Sequence, residues 1–266
     1  MKGAYLYMKD IKIVFFDIDG TLINIGKKSI SENVHFALVK LKENGIKICI
    51  ATGRSPVQLP KFPGIAFDAY LTYNGSYCFT HDEDIFRNPL QKEDVFTIIE
   101  NTKRMGRPVS LATKNRLVSN GADADLKAYY QFGGNELTVS EDFDRVADTE
   151  DIYQMLSGGR KEEYASILKD TKAARITAWW DRAVDIIPAN GGKGMAITKI
   201  LDYFHLTKEE AMAFGDGNND IEMLETVGRG VAMQNASNEL KAVADDFCDD
   251  VANDGVYTYC KEHGLI

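Results

Sequence analysis

Short apolar runs alternate with a helical pattern over the first part of the chain. Three continuous apolar runs have the length and composition of buried β-strands, and they are residues 12–16, 46–51 and 69–73. Between the first two runs, apolar residues recur at helical spacing from Val34 to Leu41, after Ser31 and before Gly45. This spacing predicts a capped amphipathic helix. A strand, a helix and a strand in this order predict a βαβ unit, whose strands pair in parallel through a right-handed crossover.

The pattern changes in the middle of the chain, where helices separate short pairs of strands. The predicted helices are 93–105, 124–132 and 161–172, and the predicted strands are 109–118, 152–156, 175–180 and 183–187. This order is typical of a separate α+β module. The first pattern then resumes, with a helix at 191–204 and strands at 211–214 and 230–233. We therefore predict an α/β fold, in which residues 1–86 and 188–266 build a doubly wound parallel sheet and residues 87–187 form an inserted α+β domain.

Composition and charge exclude several classes of protein. The 266 residues are 44% hydrophobic, which is enough for a large core and excludes intrinsic disorder. A net charge of −9 repels phosphate backbones and anionic lipid, so we expect neither nucleic acid nor a membrane as a partner. The apolar runs are far shorter than the ~20 residues that cross a bilayer, and residues 1–12 show no secretory signal. Four scattered cysteines are expected to be reduced thiols of a cytoplasmic protein.

Polar segments that contain glycine follow three of the predicted core strands. They are Asp17-Ile-Asp-Gly-Thr21, Thr52-Gly-Arg-Ser55 and Gly215-Asp-Gly-Asn-Asn-Asp220. Any one of them alone is explained by a turn, because turns are rich in Asp and Gly. The carboxyl ends of parallel strands meet at one edge of a sheet, where ligands bind in open α/β folds. Three such ends together therefore predict a functional site.

The predicted edge gathers four carboxylates, from Asp17, Asp19, Asp216 and Asp220. Two carboxylates about 4 Å apart repel by about 1 kcal/mol in water, and by more in a less polar pocket. Such a cluster needs a cation. Its ligands would all be hard oxygens, without His or Cys, which favours Mg²⁺ over zinc or copper.

A calcium-binding EF-hand loop is the alternative interpretation of the third segment. Asp216, Asn218 and Asp220 fit its first three ligand positions. The sixth position is Ile221 instead of glycine, and the twelfth is Val227 instead of glutamate. The pattern therefore excludes an EF-hand.

Two further groups could bind phosphate at this edge. Thr52 and Gly53 stand where a strand ends and a helical turn could begin, so a hydroxyl and backbone N–H groups would be available. Lys193 begins the helix after the inserted domain, which returns it to the sheet edge. A lysine at the start of a helix is usually solvated and opposes the helix dipole. A negatively charged metal and carboxylate site would reverse that preference.

These segments resemble motifs I to IV of the haloacid dehalogenase superfamily of phosphohydrolases. The matching residues are Asp17-Ile-Asp-Gly-Thr21, Ala51-Thr-Gly-Arg54, Lys193 and Gly215-Asp-Gly-Asn-Asn-Asp220. The insert, the form of the fourth motif and Leu71-Thr-Tyr-Asn-Gly75 resemble the Cof-type branch, subfamily IIB, with a C2B cap. The resemblance covers the whole chain and implies a Rossmann-like core with a cap at residues 87–187. One departure is Gly192, preceded by Gly191, where the branch often has Ser or an apolar residue before the lysine.

The resemblance implies a Mg²⁺-dependent phosphomonoester hydrolase that acts on small phosphorylated metabolites, with sugar phosphates expected. Asp17 would attack phosphorus and form an aspartyl phosphate. Asp19 would protonate the leaving group and then activate water. The side chains of Asp17 and Asp216 and the backbone carbonyl of Asp19 would hold Mg²⁺. Asp220 would anchor the water ligands of the ion or orient the groups that surround its ligands. Thr52, Gly53, Lys193 and Asn219 would bind the phosphoryl oxygens.

Two alternatives remain open. A sugar phosphomutase of the same superfamily would return the phosphoryl group to the sugar. A receiver-like phospho-acceptor switch would combine an acceptor Asp, acidic Mg²⁺ ligands, Thr and Lys. Two features weigh against the switch. Asp19 stands two residues beyond the acceptor, where it would promote hydrolysis, and the large insert could cover a substrate.

The inserted domain contains adjacent tryptophans, Trp179 and Trp180, that could stack on a sugar. Because they are expected in a strand, where neighbours face opposite ways, at most one should face a cleft.

Overall fold

The computed structural model describes residues 10–132 and 135–266. Residues 1–9, which carry most of the segment where no secretory signal is predicted, lie outside the described residues. Among the residues described, no helix is both long enough and apolar enough to cross a membrane.

An eight-stranded sheet forms the larger half of the fold. Its strand order is β13-β12-β11-β1-β2-β3-β4-β5. The strands are β1 (Ile13–Phe16), β2 (Lys47–Ala51), β3 (Ala69–Thr72), β4 (Tyr77–Phe79), β5 (Asp84–Arg87), β11 (Ala211–Gly215), β12 (Arg229–Met233) and β13 (Asp246–Cys248). The first six in this order pair in parallel, and β4 and β5 add an antiparallel edge. The predicted parallel α/β sheet is confirmed.

A second, five-stranded sheet is entirely antiparallel, with the order β7-β6-β8-β10-β9. Its strands are β6 (Val109–Ala112), β7 (Leu117–Ser119), β8 (Gln154–Gly158), β9 (Ala174–Thr177) and β10 (Ala183–Pro188). Each sheet has its own apolar core. A third cluster, rich in tyrosine, joins them: the Tyr73 ring stacks on Tyr153, and the Tyr73 hydroxyl donates to the Thr113 carbonyl at 2.6 Å.

Helices in the described part of the chain alternate with the strands of the large sheet and accompany the small one. They are α1 (Glu32–Glu43), α2 (Lys92–Arg104), α3 (Ala124–Phe132), α4 (Phe143–Thr149), α5 (Tyr164–Ile167), α6 (Lys193–Phe204), α7 (Ile221–Thr226), α8 (Asn238–Val243) and α9 (Gly255–Glu262). β1 and β11 run parallel, but the order of the strands reverses between them, because the chain continues from β1 to β2 and β3 on one side and from α6 to β11 and β12 on the other. This reversal is where an open α/β sheet has its ligand crevice.

Two sequence predictions in the inserted region are wrong in extent. The helix predicted at 161–172 consists of a turn, Lys161–Glu163, and the short α5. The chain leaves the helical conformation before residue 172, since Asp170 has a left-handed backbone with a φ of 63°, and the N–H groups of Lys172 and Ala173 then donate to the Asp94 carboxylate. The strand predicted at 175–180 ends at Thr177, since the next residues turn back toward β10.

A serine hydroxyl caps the N-terminus of α1. Ser31 is the N-cap, and its hydroxyl accepts the Val34 N–H at 3.0 Å, whereas Ser29 is exposed and outside the helix. Ser31→Ala should lower the free energy of unfolding by about 1 kcal/mol because it leaves that donor without its acceptor. Ser29→Ala is the matched control and should change it by less than about 0.5 kcal/mol. Urea denaturation measures both, and equal midpoints for the two variants would refute the assignment of the cap.

Candidate active site

The carboxyl ends of β1 and β11 lie side by side and bring the first and third polar segments together. Phe16 pairs with Phe214, and the Asp17 N–H donates to the Phe214 carbonyl at 3.1 Å. One carboxylate oxygen from each of Asp17, Asp216 and Asp220 lies within 4.8 Å of the other two. The structure therefore brings three of the four predicted carboxylates into one cluster.

Lys193 pairs with two of these three carboxylates. Its side chain is buried, and its Nζ donates to Asp17 Oδ1 at 2.7 Å and to Asp220 Oδ1 at 2.5 Å. Burial alone would lower the pKa of the lysine, but the two carboxylates hold it above its ordinary value. The ammonium group is therefore charged, and it is paired instead of being solvated as most lysines at helix starts are.

Asp220 shapes the loop that carries Asp216. Its Oδ2 accepts the backbone N–H groups of Asp216 at 3.0 Å and Gly217 at 3.1 Å, while its Oδ1 accepts from Lys193. Both oxygens are thus engaged by protein donors. Asp216 itself accepts from the Thr21 hydroxyl at 3.0 Å, which joins the loop after β11 to the loop after β1.

The electrostatics of the cluster favour a bound cation. Burial raises the pKa of Asp17 to about 7, with Asp220 adding to the rise and Lys193 opposing it. Burial, together with the adjacent Asp17 and Asp220, also holds the pKa of Asp216 well above its ordinary value. A pKa raised in this way means that the negative charges are undercompensated. The donors are all carboxylate oxygens, which suit a hard divalent ion such as Mg²⁺.

The Asp19 carboxylate is not part of this cluster of three and pairs with Arg54. The guanidinium donates through Nε to Oδ2 at 2.7 Å and through Nη2 to Oδ1 at 2.6 Å. Thr52 and Gly53, which come just before Arg54, stand at the same edge, with Thr52 buried. Asp19 and Arg54 also line the cavity described below. Arg54 therefore holds Asp19 at the mouth of the site.

Asn219 reaches a residue that sequence reasoning did not single out as functional. Its Nδ2 donates to Oδ1 of Asn74 at 3.0 Å. Asn74 is buried and, like Tyr73, adopts a left-handed backbone with φ near 50°, at 51° and 53° respectively. Such backbone is costly for most residues other than glycine, and it recurs at functional sites. The Asn-Gly pair that follows β3 was the available signal.

A cavity of about 460 Å³ opens over the carboxylates. One wall is polar and comes from the edge of the large sheet, and the opposite wall is aromatic. The residues of the aromatic wall are Tyr129, Tyr130, Phe132 and Trp179, with Leu156 beside them. Trp180 packs behind Trp179, with ring centroids 6.4 Å apart, and lies next to Arg182. One tryptophan of the pair lines the cavity, although neither belongs to a strand.

The glycines before Lys193 accommodate an ion pair between the two sheets. Arg175, from β9, donates to both carboxylate oxygens of Glu222, on α7, and to the Gly191 carbonyl. A Cβ at Gly192 would lie 2.0 Å from Glu222 Oε2 and 2.3 Å from Arg175 Nη2, and its φ is +131°. A side chain at this position would displace that pair. The departure from the family pattern at Gly192 thus has a local structural reason.

Comparisons with known proteins agree with this geometry. Residues 14–259 match the model of a family described as haloacid dehalogenase-like hydrolase. The chain is 30% identical to YkrA of Bacillus subtilis, over 97% of this chain and 99% of that protein. It is 27% identical to YitU of the same bacterium, named as a 5-amino-6-(5-phospho-D-ribitylamino)uracil phosphatase, over 94% and 97%. It is similar in structure to BT4131, described as a HAD subclass IIB sugar phosphatase, with a TM-score of 0.86 and 30% identity over 96% of this chain and all of that one.

Lys193 provides the test of the buried ion pairs. Lys193→Met should lower the free energy of unfolding by about 3–5 kcal/mol, because it leaves two buried carboxylates without their cation. Lys199→Met, at an exposed position of the same helix, is the control and should stay within about 0.5 kcal/mol of the wild type. Urea denaturation without added metal gives both values. A Lys193→Met midpoint equal to that of the control would show that the pairs contribute nothing.

Proposed function

The chain belongs to the haloacid dehalogenase-like hydrolases, and from this premise we propose that it is a Mg²⁺-dependent phosphomonoester hydrolase. The observation that carries the proposal is the cluster of Asp17, Asp216 and Asp220, in which the buried Lys193 pairs with Asp17 and Asp220. A phosphoryl group is multiply charged, so its transfer depends mainly on positioning and on charge stabilisation. Carboxylates, a buried ammonium group and a cation site at one edge supply that chemistry.

The proposed reaction has two steps. An oxygen of Asp17 attacks phosphorus, the bond to the ester oxygen breaks, and Asp19 gives its proton to the leaving alkoxide. Asp19 then takes a proton from a water molecule that attacks phosphorus, which releases phosphate and restores Asp17. Asp19 must give up part of its pairing with Arg54 to do this, since both of its oxygens are engaged by the guanidinium.

Four residues are proposed to bind the transferring oxygens, and they are Thr52, Gly53, Lys193 and Asn219. Each has a neighbouring partner: Lys193 two carboxylates, Asn219 the Asn74 side chain, the Gly53 carbonyl the Gln154 side chain at 3.2 Å, and the Thr52 hydroxyl the Arg54 backbone N–H at 3.2 Å. Groups held in place before reaction stabilise developing charge without the cost of reorganisation.

The side chains of Asp17 and Asp216 and the backbone carbonyl of Asp19 are proposed to hold Mg²⁺. Asp220 is proposed to act through them, because its oxygens already accept from Lys193 and from the loop backbone. When bound, the ion would neutralise the carboxylates and polarise a phosphoryl oxygen.

The substrate is proposed to be a small phosphorylated metabolite, with sugar phosphates the expected class. BT4131 is described as a sugar phosphatase, and the name of YitU gives a phosphorylated ribityl compound. The aromatic wall of the cavity supports a leaving group with an apolar face. Residues 87–187 are proposed as the cap that supplies this wall.

The buried, free cysteines support the proposed reducing, cytoplasmic location.

Replacing Asp17 is the direct test of the nucleophile. Asp17→Asn should lower phosphate release from p-nitrophenyl phosphate by at least about 10³-fold, because an amide cannot form the acyl phosphate. Asp202→Asn, exposed on α6, is the matched control and should retain wild-type turnover. Retained turnover in Asp17→Asn would eliminate Asp17 as the nucleophile.

Removal of metal tests the cofactor. Treatment with a chelator should abolish phosphate release, and Mg²⁺ should restore it, because the carboxylates alone repel the phosphate. Phosphate release that is unaffected by the chelator would contradict the proposed dependence.

A further inference from the structure

Asp185 is a buried carboxylate of the second sheet that has no part in the proposed reaction. It lies in β10 and is 1% exposed. Its Oδ1 accepts from the Tyr129 hydroxyl at 2.7 Å, and its Oδ2 accepts from Asn74 Nδ2 at 2.9 Å. Burial raises the pKa of Asp185 to about 7, which shows how costly its position is. We therefore expect this carboxylate to fix the side chains of its two hydrogen-bond partners, Tyr129 and Asn74.

On one side, the bonds of Asp185 lead to the aromatic wall. The Tyr129 oxygen also accepts from Trp179 Nε1 at 3.0 Å, and the two ring centroids are 5.6 Å apart. Both rings line the cavity, and Phe132 meets Trp179 edge to face. Trp179 lies in a bend after β9 and is 39% exposed, so no strand fixes its ring. The bond to Tyr129 is therefore a specific restraint on the orientation of the indole.

On the other side, the bonds of Asp185 lead to the phosphoryl site. Asn74 donates to Asp185 and to Gln154 Oε1, and its own Oδ1 accepts from Asn219. Asn74 has thus used both amide hydrogens and its carbonyl oxygen on partners. The chain of bonds from Asn219 through Asn74, Asp185 and Tyr129 to Trp179 passes behind the cavity that its two ends line.

We propose that Asp185 is a positioning residue for the leaving group, which acts through Tyr129 to hold the Trp179 ring at a fixed orientation opposite the phosphoryl site. The proposal rests on the proposed function and adds a substrate class to it, phosphate esters whose leaving group carries a ring. A flat aromatic surface that is fixed before binding gains affinity for a ring, because little side-chain freedom is lost on contact. A substrate without a ring does not reach this wall and gains nothing from it.

Two variants disturb the bond between Asp185 and Tyr129. In Asp185→Asn one of the two acceptor oxygens becomes a donor, and it opposes another donor whichever way the amide is turned, because Tyr129 and Asn74 both donate to Asp185. Tyr129→Phe removes only the hydroxyl, so it tests the same link with less risk to folding. The control is Asp94→Asn, which makes the same change at another buried aspartate, one whose carboxylate accepts backbone N–H groups near residues 172–173.

The kinetic test compares p-nitrophenyl phosphate, which carries a ring, with acetyl phosphate, which does not. Tyr129→Phe should raise the KM for p-nitrophenyl phosphate about tenfold, the effect of losing one hydrogen bond. Its kcat, and all of its constants for acetyl phosphate, should stay within about twofold of the wild type, because the lost hydroxyl bonds Asp185 and Trp179 and not Asn219. Asp185→Asn should raise the same KM at least as much, and any loss that it also shows on acetyl phosphate reports its second bond, to Asn74. For Tyr129→Phe, equal losses on both substrates or no loss on either would overturn the proposal, as would the same split in Asp94→Asn.

A fluorescence measurement tests the link independently of turnover. The chain has two tryptophans, so Trp180→Phe leaves Trp179 as the single reporter. In that background, Tyr129→Phe and Asp185→Asn should lower the anisotropy of Trp179 emission because the ring loses its restraint, whereas Asp94→Asn should not. Unchanged anisotropy in the first two would refute the positioning role. If the wild type releases no phosphate from either substrate, the proposed function fails, while the anisotropy still decides the inference.

Discussion

One buried ammonium group between two carboxylates is the interaction on which the site depends. Lys193 begins α6, Asp17 follows β1, and Asp220 lies in the loop after β11, so the two ion pairs join segments that are far apart in sequence. Each of these charges would be costly to bury alone. Because each carboxylate depends on Lys193, the two ion pairs fix these loops at the point where the strand order reverses. The same atoms stabilise the fold and prepare the site for a charged substrate.

The cavity has two walls of different character because it lies between two sheets. The loops after the parallel strands contribute carboxylates and Arg54, with Lys193 paired to one of these carboxylates, and this polar set suits a charged phosphoryl group. The antiparallel sheet and α3 contribute rings, which suit the rest of a substrate. Asn74 connects the two, since its side chain contacts residues of both. The charged groups and the aromatic groups of the cavity thus lie on different walls, and hydrogen bonds through Asn74 connect the two walls.

The parallel sheet could be predicted from local patterns, because its buried strands are apolar runs in the sequence. The polar residues that follow these strands lie at the carboxyl edge of the sheet. The ends of α1 could also be predicted locally, because Ser31 caps its first turn and Gly45 adopts the positive φ that commonly follows a helix. Features that depend on distant partners could not be predicted from the sequence. The bend that carries Trp179, the role of Asn74 and the need for Gly192 all follow from contacts made across the chain, with partners that no local pattern identifies.

The central claim, that Asp17 carries the phosphoryl group during the reaction, is tested most directly by rapid acid quench with a ³²P-labelled phosphomonoester. The account predicts that label bound to the protein rises before free phosphate does. Reduction of the acyl phosphate with tritiated borohydride releases the phosphate and leaves tritium on the former aspartate, and after digestion this tritium label should map to the peptide containing Asp17. Phosphate that forms without any label on the protein, or label that maps to another peptide, would contradict the account.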